Sequence, residues 1–156
     1  MQFNIRGMTE QFAVEILNWK YEAPYDFYNN DLSAENIREL LDQKYYSVVD
    51  EYGQLIGFFC IGSAAQVPIG HVYGVYLDDH IDIGLGMKPD LTGKGYGYSF
   101  FAYILQYIKE TYTNKIVRLT VAKFNIRAIR LYEKLGFRRK TEFINHSTVF
   151  ITMLKE

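Results

Sequence analysis

The sequence predicts one α/β domain in which a mixed sheet carries helices on both faces. Its 156 residues correspond to the usual size of one domain. Hydrophobic residues make up 49% of the chain, which is enough to build a core and argues against disorder. After a first strand and two helices, the predicted elements follow in the order ββ, βαβα and ββ, which is typical of a mixed sheet.

A short strand and two helices open the chain. Residues 3–6 alternate like a strand, and apolar residues at helical spacing follow Thr9, which predicts the first helix. Residues 21–30 have the composition of a turn, and Ser33 is placed to cap a second helix that runs to about residue 43. The inner face of this second helix is expected to contain Ile37, Leu40 and Leu41.

A hairpin and a further strand come next. Residues 45–49 and 54–62 are rich in β-branched and aromatic residues, and the turn sequence between them predicts two antiparallel strands. The ambiguous stretch that follows is treated as a loop. Residues 80–88 are predicted as a strand, although two glycines would normally weaken it. These glycines, Gly84 and Gly86, indicate that another group approaches the backbone closely.

The rest of the chain is predicted as helix, strand, helix and two strands. Residues 95–112 show the clearest amphipathic helical pattern, and residues 116–122 alternate like a strand. Asn125 is placed to cap a helix that ends at Leu135, with Gly136 in position for a left-handed C-cap. Two antiparallel strands complete the chain, residues 138–144 and 148–154. The last strand is expected to be exposed and able to pair across a two-fold axis, so a homodimer is one open alternative.

The cysteine content and the N-terminus bear on location and metals. Cys60 is the only cysteine, so neither an intrachain disulfide nor a cysteine metal cluster can form. We therefore expect a reducing, cytoplasmic compartment and no metal. The first residues lack the pattern of a leader, and no run approaches the roughly 18 apolar residues of a membrane span, so no membrane association is expected.

Charge is segregated along the chain although the net charge is only −1. Residues 1–60 contain 4 basic and 10 acidic residues, and residues 115–156 contain 10 and 3, which gives −6 and +7. The low net charge argues against a nucleic-acid partner. Two interpretations remain open: solvated helix faces, or a basic site for phosphates beside an acidic site for a cationic partner.

Three alternating glycines mark the start of the best helix. The segment reads Met-Lys-Pro-Asp-Leu-Thr-Gly-Lys-Gly-Tyr-Gly-Tyr over residues 87–98. Glycines at a helix N-terminus let backbone N–H groups converge on an anion such as a pyrophosphate. The spacing matches neither the nucleoside-triphosphate loop nor the dinucleotide fingerprint. Taken alone, it is also compatible with an ordinary strand-to-helix turn.

A second motif gives this turn a context. Residues 125–137 supply the pattern N-x-x-A-x-x-L-Y-x-x-L-G-F. Together with Met87-x-Pro89 and the three glycines, it resembles the GNAT superfamily of acyl-CoA-dependent N-acetyltransferases. The resemblance covers essentially residues 1–156 as a single domain. It implies about six or seven strands, mostly antiparallel with a central splayed parallel pair, flanked by about four helices.

The resemblance also implies acetyl-CoA as cosubstrate and a place for it. The fourth strand, around Leu85 and Met87, would pair with the pantetheine arm, and Asn125 would meet the same arm. Thr92 stands where the family usually has Arg or Gln, so a side-chain contribution to phosphate binding is lost or moved, with Lys94 or the downstream basic residues available to compensate. The pyrophosphate would lie on the amides of Thr92, Gly93, Lys94, Gly95, Tyr96 and Gly97.

Transfer from a thioester to an amine requires three catalytic roles. The resemblance assigns the Met87 N–H to the developing oxyanion. It places Tyr132 near the sulfur, where the phenol can donate a proton to the leaving thiolate. Asp82 lies where several family members have a catalytic carboxylate and is the candidate base. His80, His71 or a water chain are the alternatives.

The acceptor side in this family is built by the first two helices and their connection. In this chain that region combines acidic and aromatic residues, which suits a cationic amine. The candidates are a small-molecule amine, such as an amino sugar or polyamine, or a peptide or protein amine. The chain is therefore interpreted as an N-acetyltransferase that works by direct attack in a ternary complex. The alternative is a non-catalytic acyl-CoA-binding regulatory module.

Overall fold

The computed structural model describes residues 1–156 and contains four α-helices and seven β-strands. The helices are α1 Glu10–Leu17, α2 Ala34–Asp42, α3 Gly97–Thr111 and α4 Ile126–Lys134. The strands are β1 Asn4–Gly7, β2 Tyr45–Val49, β3 Leu55–Ile61, β4 Ile81–Met87, β5 Val117–Ala122, β6 Arg138–Asn145 and β7 Thr148–Lys155. None of the helices has the length and apolar character needed to cross a membrane.

The strands form a mixed sheet in the order β1-β2-β3-β4-β5-β7-β6. The pair β4–β5 is parallel and the rest of the sheet is antiparallel. The β4–β5 ladder has two residue pairs, Ile81 with Val117 and Asp82 with Arg118. The predicted mixed sheet with a splayed parallel pair is therefore confirmed.

Side-chain N-caps begin three helices, and the two that were predicted, Ser33 and Asn125, are confirmed. The hydroxyl of Thr9 accepts a hydrogen bond from the Phe12 N–H at 3.1 Å, which begins α1. Ser33 caps α2 and Asn125 caps α4 in the same way, with distances of 3.0 and 3.2 Å to the amide nitrogens. These side chains satisfy N–H groups that have no partner within the helix.

The contacts of the chain define two compact units, which we call the first and second units. The first unit comprises Met1–Cys60 and Leu85–Phe100, and the second comprises Ile61–Gly84 and Phe101–Glu156. A core cluster of the first unit joins α1, α2 and β3 through Ala13, Ile16, Leu17, Trp19, Leu40 and Leu55.

The inner face of α2 is narrower than predicted. Leu40 is 5% exposed and Ile37 packs against the core cluster, whereas Leu41 is 42% exposed. The spacing i, i+3, i+4 puts Leu41 at the margin of the stripe that contains Ile37 and Leu40, about 100° from Leu40, and the core does not cover this margin. The expectation that Leu41 lies on the inner face is wrong.

The end of the second unit also differs from expectation. The last strand, β7, pairs with β5 on one side and β6 on the other. It is therefore an interior strand, and the expectation that it is exposed is wrong. Strand β6 forms the edge of the sheet. The chain then turns at His146, which has a φ of 56°, and β7 runs back between β5 and β6.

Candidate active site

The carboxyl end of β4 lies in the first unit and is tightly packed. A Cβ added to Gly86 would overlap the Phe58 ring, and one added to Gly57 would lie 2.5 Å from the Gly86 carbonyl oxygen. The group that approaches Gly86 is therefore the Phe58 ring of the neighbouring strand. Both positions require glycine because no other side chain fits without a shift of backbone or ring.

The peptide that follows this end, Met87–Lys88, is held from both sides. The Tyr21 hydroxyl donates to the Met87 carbonyl oxygen at 2.7 Å. The Lys88 N–H donates to the Ile56 carbonyl oxygen at 2.8 Å. Burial raises the pKa of Tyr21 to about 12, so the phenol keeps the proton that it donates.

The glycine turn follows directly and leads into α3. Gly93 and Gly95 have φ angles of 72° and 85°, which favour glycine, and a Cβ at Gly95 would meet nothing within 4 Å. The Thr92 hydroxyl donates to the Pro89 carbonyl oxygen at 2.7 Å. Thr92 therefore uses its side chain to hold the turn, and the exposed backbone of the glycines remains for an anion.

The second unit contains Tyr132, on α4. Its ring meets the Phe101 ring edge-on at 5.3 Å and lies 6.1 Å from the Phe137 ring. Phe101 and Phe137 stack on each other at 5.6 Å. This packing fixes the orientation of the Tyr132 ring. Asn125, predicted to contact the cofactor, is the N-cap of the same helix in the structure.

Asp82, also in the second unit, lies in a buried ion pair. Its Oδ1 is 2.7 Å from Arg118 Nε, and its Oδ2 is 2.8 Å from Arg118 Nη2. Asp82 and Arg118 are 4% and 3% exposed. The hydrogen bond to Asp82 raises the pKa of Arg118, whose guanidinium also lies 5.1 Å from the Tyr76 ring centroid. This bidentate geometry is the strong form of a carboxylate–guanidinium contact.

A series of hydrogen-bonded side chains extends from Asp82 to the surface. Gln66 Nε2 donates to Asp82 Oδ2 at 2.9 Å, and Gln66 Oε1 lies 2.8 Å from His71 Nε2. Because Oε1 only accepts, the hydrogen of this bond belongs to His71 Nε2, and the Nδ1 lone pair of neutral His71 is left as a proton acceptor. His71 is exposed. His80 contacts Asp78 instead, at 4.0 Å.

Sequence reasoning missed Gln66 and Arg118, and it included Tyr21 only among the aromatic residues of the acceptor side, without its contact to Met87. Arg118 carried a signal, since it is a charged residue inside a strand whose neighbours are apolar. Its carboxylate partner lies 36 residues earlier. Tyr21 and Gln66 lie in segments with turn-like or ambiguous patterns, which carry no such signal.

The connection between α1 and α2 exposes a set of carboxylates. All five acidic residues between positions 22 and 39 are exposed and form no ion pair: Glu22, Asp26, Asp31, Glu35 and Glu39. We call these five residues the acidic segment. Phe27, 46% exposed, lies among them and packs edge-on against Tyr28 at 5.1 Å. Unpaired carboxylates beside aromatic faces favour a cationic ligand.

Comparison with known proteins gives consistent matches. Residues 11–137 match the model of the acetyltransferase (GNAT) family. A spermine/spermidine N(1)-acetyltransferase of Bacillus subtilis (strain 168) is 28% identical over 143 residues, which cover 88% of this chain and 89% of the relative. A mycothiol acetyltransferase of Salinispora tropica is 32% identical over 98 residues, which cover 63% of this chain and 30% of the relative.

Solved structures share the fold over nearly the whole chain. A chimera of the spermidine N-acetyltransferase SpeG from Vibrio cholerae and hSSAT superposes with a TM-score of 0.72 at 19% sequence identity. The superposition covers 99% of this chain and 95% of the other. At this identity, the match establishes the fold alone.

Proposed function

The chain belongs to the acetyltransferase (GNAT) family, and on that premise we propose that it transfers the acetyl group of acetyl-CoA to a primary amine of a polyamine. The reaction proceeds by direct attack of the amine on the thioester within a ternary complex. The carbon–nitrogen bond forms and the carbon–sulfur bond breaks. One side chain accepts the proton that the amine loses, and another donates a proton to the leaving thiolate.

The acidic segment is the observation that carries the choice of acceptor. Its five carboxylates are exposed and form no ion pair with a cation of this chain. A polyamine carries several positive charges along a flexible apolar chain, so it suits spaced carboxylates and the exposed Phe27 ring. The relatives named for spermine and spermidine support the same class.

In this proposal the glycine turn holds the pyrophosphate of acetyl-CoA. Exposed backbone at Gly93 and Gly95, followed by the start of the 15-residue helix α3, supplies N–H groups and a favourable dipole for an anion. Thr92 contributes through the stability of the turn, because its hydroxyl is engaged with Pro89. Lys94 is exposed and lies within the turn, between Gly93 and Gly95, so we assign it to a phosphate as the cation. We propose that Leu85, Met87 and Asn125 lie along the pantetheine arm, as the family resemblance implies.

Two groups are proposed to act on the reacting atoms. The Met87 N–H stabilises the negative charge that develops on the thioester oxygen. The Tyr132 hydroxyl gives its proton to the leaving thiolate. The packing of the Tyr132 ring against Phe101 and Phe137 supports this role, because an acid must be held in hydrogen-bonding reach of its target.

The amine must lose a proton before or during its attack, and we assign this step to the chain from Asp82 to His71. Both Asp82 oxygens already accept hydrogen bonds from Arg118 and Gln66, which leaves the carboxylate poorly placed to take a proton directly. Asp82 instead orients Gln66, which fixes the Nε2–H tautomer of His71. His71 Nδ1 then accepts the proton, directly or through water.

The test is thiol release from acetyl-CoA by the purified protein. The panel contains spermine, spermidine, glucosamine and peptides with free N-termini, with matched blanks that lack protein or amine. We expect amine-dependent release that is fastest with the polyamines, and mass spectrometry should identify the monoacetylated product. Release with glucosamine or peptides alone would overturn the choice of polyamine, and no amine-dependent release would overturn the activity.

A further inference from the structure

Tyr21 connects two parts of the first unit that are far apart in sequence. It lies in the connection between α1 and α2, next to Glu22 of the acidic segment. Its hydroxyl donates to the carbonyl oxygen of Met87, 66 residues later, at 2.7 Å. Its own N–H donates to Asn29 Oδ1 at 2.8 Å, which ties the phenol to the middle of the same connection. The acceptor-binding region and the end of β4 therefore share one side chain.

The bond matters because of what lies on either side of Met87. Gly86 precedes it, and glycine places little restraint of its own on the backbone. The peptide that follows it is fixed at both polar atoms, by Tyr21 at the Met87 carbonyl and by Ile56 at the Lys88 N–H. The Tyr21 hydroxyl thus supplies one of the two hydrogen bonds that restrain the peptide directly after Met87, at the end of β4.

We propose that Tyr21 is a positioning residue, which holds the backbone of Met87 so that its N–H meets the thioester oxygen and which links the order of the acceptor-binding region to that geometry. The role rests on the proposed function. Removal of the hydroxyl leaves the Met87 carbonyl without this donor, so the peptide is held only by the hydrogen bond from the Lys88 N–H to Ile56 and is less firmly oriented. The resulting loss falls on stabilisation of the transition state, since the binding sites of both substrates keep their side chains.

The test is Tyr21→Phe, which keeps the ring in the core cluster and removes one hydroxyl. We expect kcat and kcat/KM to fall together by about fivefold, the effect of one hydrogen bond of ordinary strength. The KM for spermine and the Kd for acetyl-CoA should stay within about twofold of wild type. Hydrogen exchange at the Lys88 amide should be faster in the variant, because the peptide has lost one of its two restraints.

Tyr45→Phe is the matched control. Tyr45 packs against the same core cluster, burial raises its pKa, and its hydroxyl interacts with Cys60 rather than with Met87. We expect Tyr45→Phe to keep wild-type kcat and wild-type exchange at Lys88. A wild-type kcat in Tyr21→Phe, or an equal loss of kcat in Tyr45→Phe, would overturn the positioning role while the acetyltransferase proposal stands. Absence of amine-dependent turnover in the wild type would instead overturn the proposed function.

Discussion

The Tyr132 hydroxyl is the single group on which protonation of the leaving thiolate depends in the proposed reaction. Tyr132→Phe keeps the ring contacts with Phe101 and Phe137 and removes only this proton donor. We expect kcat to fall by about 10²-fold, the lower end of what general acid catalysis contributes, with unchanged acetyl-CoA affinity and thermal stability. Steady-state kinetics measures kcat, calorimetric titration measures the acetyl-CoA affinity, and thermal unfolding measures the stability.

Tyr103→Phe provides the control for this variant. Tyr103 lies on α3, is 36% exposed and has no role in the proposed reaction. Its kcat should match the wild type. If Tyr132→Phe also matched the wild type, another group or water would supply the proton.

Substitutions of Asp82 and His71 distinguish the structural role of the buried ion pair from the catalytic role of the proton acceptor. Asp82→Asn leaves the buried Arg118 guanidinium without its counter-charge, so we expect a loss of about 3–5 kcal/mol in unfolding free energy together with a lower kcat. His71 is exposed, so His71→Asn should keep the unfolding midpoint and lower kcat by about 10²-fold. The double variant should be no slower than the slower single variant, because the two residues act as one unit.

The control for His71 is His80→Asn, which changes a histidine outside the chain from Asp82 to the surface. It should retain wild-type kcat. A wild-type kcat in His71→Asn would show that His71 does not accept the amine proton. Asp82 would then have only the structural role of its ion pair, and water would be the proton acceptor.

At the scale of elements, one added side chain tests the phosphate role proposed for the glycine turn. Gly95 has a φ of 85°, so Gly95→Val strains the backbone by about 1–2 kcal/mol and displaces the amides proposed for the pyrophosphate. We expect acetyl-CoA affinity to fall at least about tenfold, the effect of one lost charge-assisted hydrogen bond. Gly53→Val imposes similar strain at a φ of 78° in the β2–β3 turn and should keep normal affinity. Equal affinities in the two variants would contradict the phosphate role of the turn.

Local elements were predictable from the sequence because their causes are local. The caps Thr9, Ser33 and Asn125 act on amides three residues away, so a short window contains the whole interaction. Amphipathic spacing likewise identified α3. The interior position of β7 was not predictable in this way, because pairing with β5 or β6 decides which strand becomes the edge.

The site residues show the same limit. The glycines and Tyr132 lie in contiguous motifs, which is why the family resemblance found them. The Asp82–Arg118 and Tyr21–Met87 contacts join residues 36 and 66 positions apart. Such pairs depend on how strands and connections are brought together, and a single sequence contains no measure of that.

At the scale of the whole molecule, net charge differs sharply between the two units. The first unit contains 11 acidic and 6 basic residues, which gives −5, so the second unit carries the remaining +4 of the total of −1. The first unit includes the acidic segment. Charge of one sign around a binding region raises the local concentration of an oppositely charged substrate, and salt screens this effect.

The KM for spermine should therefore depend on ionic strength. Between about 20 mM and about 300 mM KCl we expect KM to rise several-fold while kcat changes little, because the Debye length shrinks to below about 10 Å. The combined variant Glu22→Gln and Asp26→Asn should raise KM at low salt and flatten the salt dependence. Asp78→Asn removes one exposed carboxylate from the second unit and should leave the dependence unchanged. A KM independent of salt in the wild type would show that the acidic segment does not recruit the amine, and the acceptor would then have to be recognised by apolar and hydrogen-bonding contacts.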